Sequence, residues 1–254
     1  MKNARDWFLP LADDDGLRLF AFPHAGAGCA QLAPFARASS TLGISVWAAN
    51  LPGRQARLDE PARREYTELI DDLADRISPN LDRPYALLGY CAGALLAFGL
   101  ARALRARSAP LPERLVVASY EAPDIAVRPR RLAHLPTDLL WTYLQESGGA
   151  PVTLSGDRRL RAVAEPAVRA DFAMLAAYRY QPDLPLPVPI TVCHGLADDS
   201  PRGAFLGWRR HTTAPLDIRA VNGGHWLLDD ACGELASEVA ASLAGTVPGP
   251  GGAR

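Results

Sequence analysis

Short, mostly apolar runs recur along this chain, separated by amphipathic stretches of helical period. Leu17 to Phe22 reads as a short buried strand, and Ile44 to Ala49, Tyr85 to Gly89, Leu115 to Ser119, Ile190 to His194 and Leu216 to Val221 as five more. Between them, residues 30–40 and 65–77 are helix-compatible; in the second, Leu69, Leu73 and Ile77 recur every fourth position. Ala92 to Arg107 continues the pattern, with Leu95, Leu96, Leu100 and Leu104 on one side and Arg102, Arg105 and Arg107 on the other. A last helix is expected over 230–244. Strands alternating with helices predict an α/β class protein with a mostly parallel sheet covered by helices on both faces.

One interval breaks the rhythm. Residues 122–187 hold helical patterns near Asp138–Glu146 and Ala167–Tyr178, with turn signals at Gly148-Gly149 and Pro185-Leu186-Pro187. So long an interval between strands predicts a helical lid inserted into a single domain spanning 1–254. The Pro/Gly-rich tail Pro248–Arg254 is expected to be disordered.

The strongest chemical signal sits at one strand end. Tyr85 to Leu88 runs into Gly89-Tyr90-Cys91-Ala92-Gly93, and a helical stretch follows. This is the strand–turn–helix setting of a nucleophile elbow, G-x-S-x-G, with cysteine at the serine position. The turn is sharp, so its flanking positions suit glycine. Cys91 becomes the candidate nucleophile, since a thiolate is a stronger nucleophile than an alcohol.

Such a nucleophile needs a base, and the base an orienting carboxylate, here expected downstream in the order acid, then histidine. His134 falls in the inserted segment, His194 ends a strand and His211 lies beside Arg209 and Arg210. His225, after Asn222-Gly223-Gly224 just past a strand, is best placed to reach the active edge of a parallel sheet, and is the candidate base. Asp198, three residues after Gly195, is the candidate acid; adjacent Asp199 is the alternative. An oxyanion hole requires two backbone N–H groups. Ala92 follows the nucleophile, and Ala25 lies in the small-residue loop Phe22-Pro23-His24-Ala25-Gly26-Ala27-Gly28. A phosphate-cradling role for that loop lacks the Lys-Ser/Thr of a Walker A sequence. His24 reads as a structural hydrogen-bonder.

These segments resemble a known family. Phe22-Pro23-His24-Ala25-Gly26, Leu51-Pro52-Gly53-Arg54, Arg83-Pro84-Tyr85-Ala86-Leu87, Tyr178-Arg179-Tyr180, Trp208-Arg209-Arg210-His211-Thr212 and Gly223-Gly224-His225-Trp226 look like the type II thioesterases of polyketide and nonribosomal peptide pathways. The resemblance runs from about residue 17 to 230. It implies an α/β-hydrolase fold with a mobile helical lid, no bound cofactor, and substrates carried as thioesters on the phosphopantetheine arm of an acyl or peptidyl carrier protein. Carried over, Cys91 takes the nucleophile position, Asp198 the acid, His225 the base, and Ala25 and Ala92 the oxyanion donors. The family elbow is usually Gly-His-Ser-Met-Gly; Tyr90, Cys91 and Ala92 replace all three inner residues, so the cysteine is not an isolated change. Asp199 sits where the family commonly has proline.

Sulfur changes the chemistry. Transfer from pantetheine to Cys91 exchanges one thioester for another, so the acyl-enzyme stays reactive toward water, thiols and amines. Hydrolysis is the expected outcome, and acyl transfer or cyclisation onto a second carrier thiol or an amine is the alternative. A catalytically silent carrier-binding module is a further alternative, against which stand the retained acid and His225. Carrier proteins are usually acidic, which makes Arg128, Arg130 and Arg131 candidates for steering their docking; a solvated charged face is the competing reading.

Bulk properties narrow the class without naming it. In 254 residues, 48% hydrophobic and 22% charged, a single large core is expected. A net charge of −1 offers no field for nucleic acid or an anionic membrane. The longest apolar runs fall short of the roughly 18–20 residues of a membrane span, and the N-terminus lacks a signal-peptide pattern, so a cytoplasmic monomer is expected. Cys29, Cys193 and Cys232 read as small buried hydrophobes, with no metal-ligand spacing among the four cysteines.

Overall fold

The apolar runs of the inner strands form strands because both faces of the sheet are covered there. The structure, a computed structural model, describes residues 6–12, 17–126, 129, 131–150 and 152–244. Among them, β1 (Phe8–Pro10), β2 (Leu17–Phe22), β3 (Ile44–Ala49), β4 (Tyr85–Tyr90), β5 (Arg114–Ala118), β6 (Ile190–Gly195) and β7 (Leu216–Val221) form one sheet in the order β1-β3-β2-β4-β5-β6-β7. Every neighbouring pair is parallel except β1 with β3. β1 was not legible in the sequence. It is three residues long, ends in proline and lies at an edge, where a strand needs partners on one side only.

Alternation along the strands divides the interior. Tyr85 and Leu87 of β4 face a core shared with α2 (Tyr66–Ile77) and α3 (Gly93–Ala106). Ala86, Leu88 and Tyr90 face the opposite core, shared with α1 (Ala33–Ser40) and α9 (Cys232–Leu243). Smaller helices follow β6 and β7: α7 (Arg202–Leu206) and α8 (Leu227–Asp230). This mostly parallel sheet between helical layers is the α/β-hydrolase fold expected from the sequence.

The expected inserted segment, 122–187, carries α4 (Thr137–Glu146), α5 (Val152–Gly156) and α6 (Arg158–Ala177) between β5 and β6. The α6 helix starts nine positions before the Ala167 at which the sequence pattern placed it. Asp157 caps it, its carboxylate accepting from the Arg159 N–H at 2.7 Å and the Leu160 N–H at 3.3 Å, and the helix runs through Pro166. Leu140, Trp141 and Leu144 of α4 and Val168, Phe172 and Leu175 of α6 form a third apolar cluster, which touches Cys91 and Ala92. The tail Pro248–Arg254, and Arg128 and Arg130, lie outside the described residues; Arg131 is exposed.

Cys29 and Cys193 are buried as expected, whereas Cys232, opening α9, is half-exposed. Burial pushes the Cys193 thiol up to about 12, as for a packing residue rather than a nucleophile. Among the described residues no helix is long and apolar enough to cross a membrane.

Candidate active site

Six loops leave the C-terminal ends of neighbouring parallel strands on one edge of the sheet, and this brings distant residues together. Cys91 is the first residue beyond β4. Its N–H still bonds to the Ala118 carbonyl of β5 at 2.8 Å, while its own carbonyl accepts from Ala94 N–H at 2.9 Å. The chain must therefore pass from strand to helix within two residues, and Cys91 adopts φ +50°, a left-handed conformation unfavourable for a residue with a side chain. The turn closes only over glycines. A Cβ on Gly89 would lie 2.2 Å from the Ala94 Cα, and one on Gly93 2.2 Å from the Phe22 carbonyl oxygen.

The β6–β7 pair carries the next two groups. Its ladder continues past the strands, with Leu196 N–H donating to Val221 and Ala197 N–H to Gly223, both at 2.9 Å. The approach is so close that a Cβ on Gly195 would fall 2.0 Å from the Gly224 oxygen. The Asp198 loop and the His225 loop are thereby pressed together. His225 Nδ1 lies 3.2 Å from Asp198 Oδ2, and His225 Nε2 lies 3.4 Å from Cys91 Sγ. The Asp198 side chain is 4% exposed, and its other oxygen accepts from the Ser200 N–H at 2.9 Å. Asp199, the alternative acid, is exposed and makes no such bond to His225.

The electrostatics follow from this chain of contacts. Burial pulls the His225 pKa down, but its bonds to Asp198 and Cys91 and their charges outweigh burial and raise it from 6.5 to about 10. Burial pushes Asp198 up, but the bonds from His225 and Ser200 prevail and hold it at about 2. His225 thus stands, with its pKa raised, between the Asp198 carboxylate and the Cys91 sulfur.

The other histidines are placed elsewhere. His134 is exposed. His194 stacks on Phe205, with ring centroids 4.9 Å apart. His211 is buried, with Nε2 2.8 Å from Asp124 Oδ1. His24 bonds through Nδ1 to the Ala25 carbonyl at 3.0 Å, and burial lowers its pKa, in keeping with a structural role.

Ala25 and Ala92, the expected oxyanion donors, both line a cavity of about 370 Å³ at Cys91 and His225. The loop bearing Ala25 is held by residues far away in sequence. Gly26, at φ +77°, donates its N–H to Asp171 Oδ2 of α6 at 2.7 Å. Arg54 forms a two-pronged ion pair with the same carboxylate, at 2.7 and 2.8 Å, and donates to the Ala27 carbonyl at 3.0 Å. Arg54 and Asp171 are 6% and 5% exposed. Sequence reasoning noted Arg54 within a motif but had no signal for Asp171, 117 positions away.

Two aromatic side chains, named in the sequence only within motifs, make contacts that the sequence did not signal. The Tyr90 hydroxyl donates to the His225 carbonyl at 3.1 Å. Trp226 Nε1 donates to the Ser147 carbonyl just after α4, and Gly148, at φ +73°, packs against the same indole. Among the described residues, no group of three or more His, Cys, Asp or Glu side chains is arranged to hold a metal ion.

Comparison with known proteins places this arrangement. Residues 17–243 match the model of the thioesterase domain family. The chain is 34% identical over 238 residues to the thioesterase PikA5 of Streptomyces venezuelae, covering 91% of this chain and 83% of that protein. It is 35% identical over 235 residues to the AMB antimetabolite synthetase AmbE of Pseudomonas aeruginosa, covering 92% of this chain but 11% of that much longer protein. Among solved structures, the type II thioesterase BorB from the borrelidin biosynthetic cluster superposes with a TM-score of 0.83 at 28% identity, covering 97% of this chain and 99% of BorB. With its fold, its strand-end loops and a family match over nearly the whole chain in agreement, the protein belongs to the thioesterase family of hydrolases.

Proposed function

We propose that this protein releases acyl or peptidyl groups held as phosphopantetheine thioesters on carrier proteins of polyketide or nonribosomal peptide assembly, through an acyl-Cys91 intermediate resolved by hydrolysis. The observation that carries the proposal is the contact chain Cys91 Sγ–His225–Asp198, with spacings of 3.4 and 3.2 Å, at the mouth of an apolar cavity. Its kinship with PikA5 and with BorB, a type II thioesterase from a borrelidin cluster, supports the biosynthetic setting.

In this reading the Cys91 thiolate attacks the thioester carbonyl carbon. Charge develops on the carbonyl oxygen, where the Ala25 and Ala92 N–H groups act as donors. The carbon–sulfur bond to pantetheine breaks, and His225 delivers its proton to the departing sulfur. His225, now neutral, takes a proton from water while the water oxygen attacks the acyl carbon. The Cys91 bond breaks, the carboxylic acid leaves, and the thiolate–imidazolium pair is restored. Asp198 keeps the imidazole oriented throughout. No cofactor enters these steps. The segment 122–187 serves as the lid over the cavity within one domain.

Intact-protein mass spectrometry after mixing with an acyl-carrier substrate tests the proposal. A mass increase equal to the acyl group, absent in Cys91→Ala, is expected; turnover that survives in Cys91→Ala would overturn it. The sulfur favours a second reading, transfer to another carrier thiol or to an amine, because acyl-Cys91 is itself a thioester. The ratio of acid to thioester or amide product, measured with competing acceptors, decides between them.

A further inference from the structure

The motif Trp208-Arg209-Arg210-His211-Thr212 takes no part in the steps above. It lies beyond α7, in the connection from β6 to β7, and Gly207–His211 forms a short helical segment there. Two limbs of chain converge on it. The first is the outgoing limb, where the chain leaves β5 for the inserted segment. Trp208 Nε1 donates to the Tyr120 carbonyl at 3.0 Å, and Ala122 N–H donates to the Ala204 carbonyl of α7 at 3.3 Å. His211 Nε2 lies 2.8 Å from Asp124 Oδ1, and Arg210 donates twice to Asp124 Oδ2, at 3.0 and 2.7 Å. The second is the return limb, after α6. Leu186 N–H donates to the His211 carbonyl at 2.9 Å, and Thr212 Oγ1 to the Val188 carbonyl at 2.7 Å. The Tyr180 hydroxyl lies 3.4 Å from His211 Nδ1.

His211 therefore meets one limb with each of its ring nitrogens. The ring is buried, and Phe98, Trp208 and Tyr180 meet it edge-on. Burial outweighs the pull of Asp124 and lowers its pKa below 6.5, so the ring is neutral at neutral pH. A neutral ring facing a carboxylate with Nε2 carries its proton there, which leaves Nδ1 to accept from the Tyr180 hydroxyl. The outgoing limb matters because of its first residues. Ser119, directly beyond β5, is buried at φ +52°, a conformation that persists in a residue with a side chain only where the surroundings impose it. Tyr120 follows, and it lines the cavity beside Cys91.

We propose that His211 is a positioning residue for the site at Cys91. Bonded to Asp124 on one edge and to Tyr180 on the other, it clamps the two limbs of the inserted segment together and, with Trp208, holds Tyr120 in the cavity wall. The kinetic consequence rests on the thioesterase reading above; the clamp itself does not.

Two variants of His211 test it. His211→Phe keeps a ring against Phe98 and Trp208 but deletes both bonds, and Asp124 retains Arg210, so no carboxylate is stranded. His211→Gln gives up the ring but keeps an N–H for Asp124. Acylation by a pantetheine thioester is expected to slow roughly ten- to hundredfold in His211→Phe, in kcat more than in KM, and to recover in large part in His211→Gln. Alkylation of Cys91 by iodoacetamide should stay within about twofold of wild type in both, since the Cys91–His225–Asp198 contacts do not involve this segment. A packing role predicts the reverse order of the two variants. Fluorine NMR of protein labelled with fluorotyrosine, with the Tyr120 resonance assigned through Tyr120→Phe, should show that resonance displaced in His211→Phe. If His211→Phe does not fold, Trp208→Phe, which deletes the bond to the Tyr120 carbonyl and keeps a ring against Phe98, takes its place with the same expected results. Wild-type acylation rates in His211→Phe, a slower His211→Gln, or an unmoved Tyr120 resonance would each overturn the inference. A displaced resonance in a protein whose wild type cleaves no thioester sinks the thioesterase reading and leaves the clamp standing. Thioester cleavage with an unmoved resonance does the reverse.

Discussion

The Tyr90 hydroxyl donates a hydrogen bond to the backbone carbonyl of His225 at 3.1 Å, joining the elbow to the loop that bears the proposed base. Tyr90 is 1% exposed and meets Trp226 edge-on, with ring centroids 6.5 Å apart. The residue before the candidate nucleophile is thus tied directly to the histidine loop. Tyr90→Phe keeps the ring and removes the bond. It should cost about 1 kcal/mol of stability and lower kcat roughly three- to tenfold with little change in KM. Denaturant unfolding and steady-state kinetics measure both, and an unchanged kcat would assign Tyr90 to packing alone.

Cys91 should determine the fate of the acyl group. In the wild type, added thiols should capture the acyl-enzyme and divert product from acid to thioester. In Cys91→Ser the intermediate is an oxyester, so that diversion should fall by about tenfold or more. Product analysis at rising thiol concentration reads the partition directly. Equal partition in the two proteins would argue against an acyl-Cys91 intermediate.

The pH dependence follows from the His225–Asp198 pair. The folded pKa of His225 is raised, to about 10, so its contribution to stability is full below 6.5 and is lost as pH climbs toward 10. That of Asp198 is lowered, to about 2, so its contribution is full above 3.8 and is lost as pH falls toward 2. The stability difference between wild type and Asp198→Asn should therefore be greatest between about pH 4 and 6.5 and should shrink on either side. Unfolding titrations across pH 3–10 test this. The burst of acylation should likewise persist to about pH 9 and decline as His225 loses its proton near 10. A decline centred on 6.5, the ordinary value for histidine, would contradict the imidazolium reading.

The Arg54–Asp171 pair is buried on both sides, so removing one partner strands a charge. Arg54→Met should destabilise by about 3–5 kcal/mol. The double change Arg54→Met with Asp171→Leu should recover a large part of that loss, because no uncompensated charge remains. Thermal unfolding of the single and double variants measures the difference. If the Gly26 bond to Asp171 also places the Ala25 N–H, the double variant should stay slow in acylation even where its stability is restored.

The elbow tolerates no side chain where β4 meets α3. Gly93→Ala should abolish soluble folded protein or shift the elbow, since its Cβ would press into the Phe22 carbonyl. Circular dichroism and iodoacetamide labelling of Cys91 distinguish these outcomes. A folded variant with wild-type labelling would show that the turn has more room than its packing indicates.

Six of the seven strands among the described residues could be read along the chain: β2 to β6 as largely apolar runs buried in the sheet, and the edge strand β7 by its alternating Leu216, Ile218 and Ala220. β1 could not, since three residues ending in Pro10 carry no period and its pairing with β3 is a tertiary event. The start of α6 was obscured by Pro166, and the Asp157 cap is seen only in the structure.

Cys91, Asp198 and His225 were legible as candidates because each follows an apolar run, and a parallel sheet delivers all such positions to one edge. Local order along the chain therefore settled the fold class and nominated candidate reacting groups. Folding alone decided that Asp198 rather than Asp199 meets His225, that Asp171 of α6 holds the loop behind Ala25, and that Tyr90 reaches the His225 carbonyl. These are contacts between residues 27, 145 and 135 positions apart. Periodicity reports which face of an element a residue occupies. Only the packing of elements against one another fixes which side chain it meets.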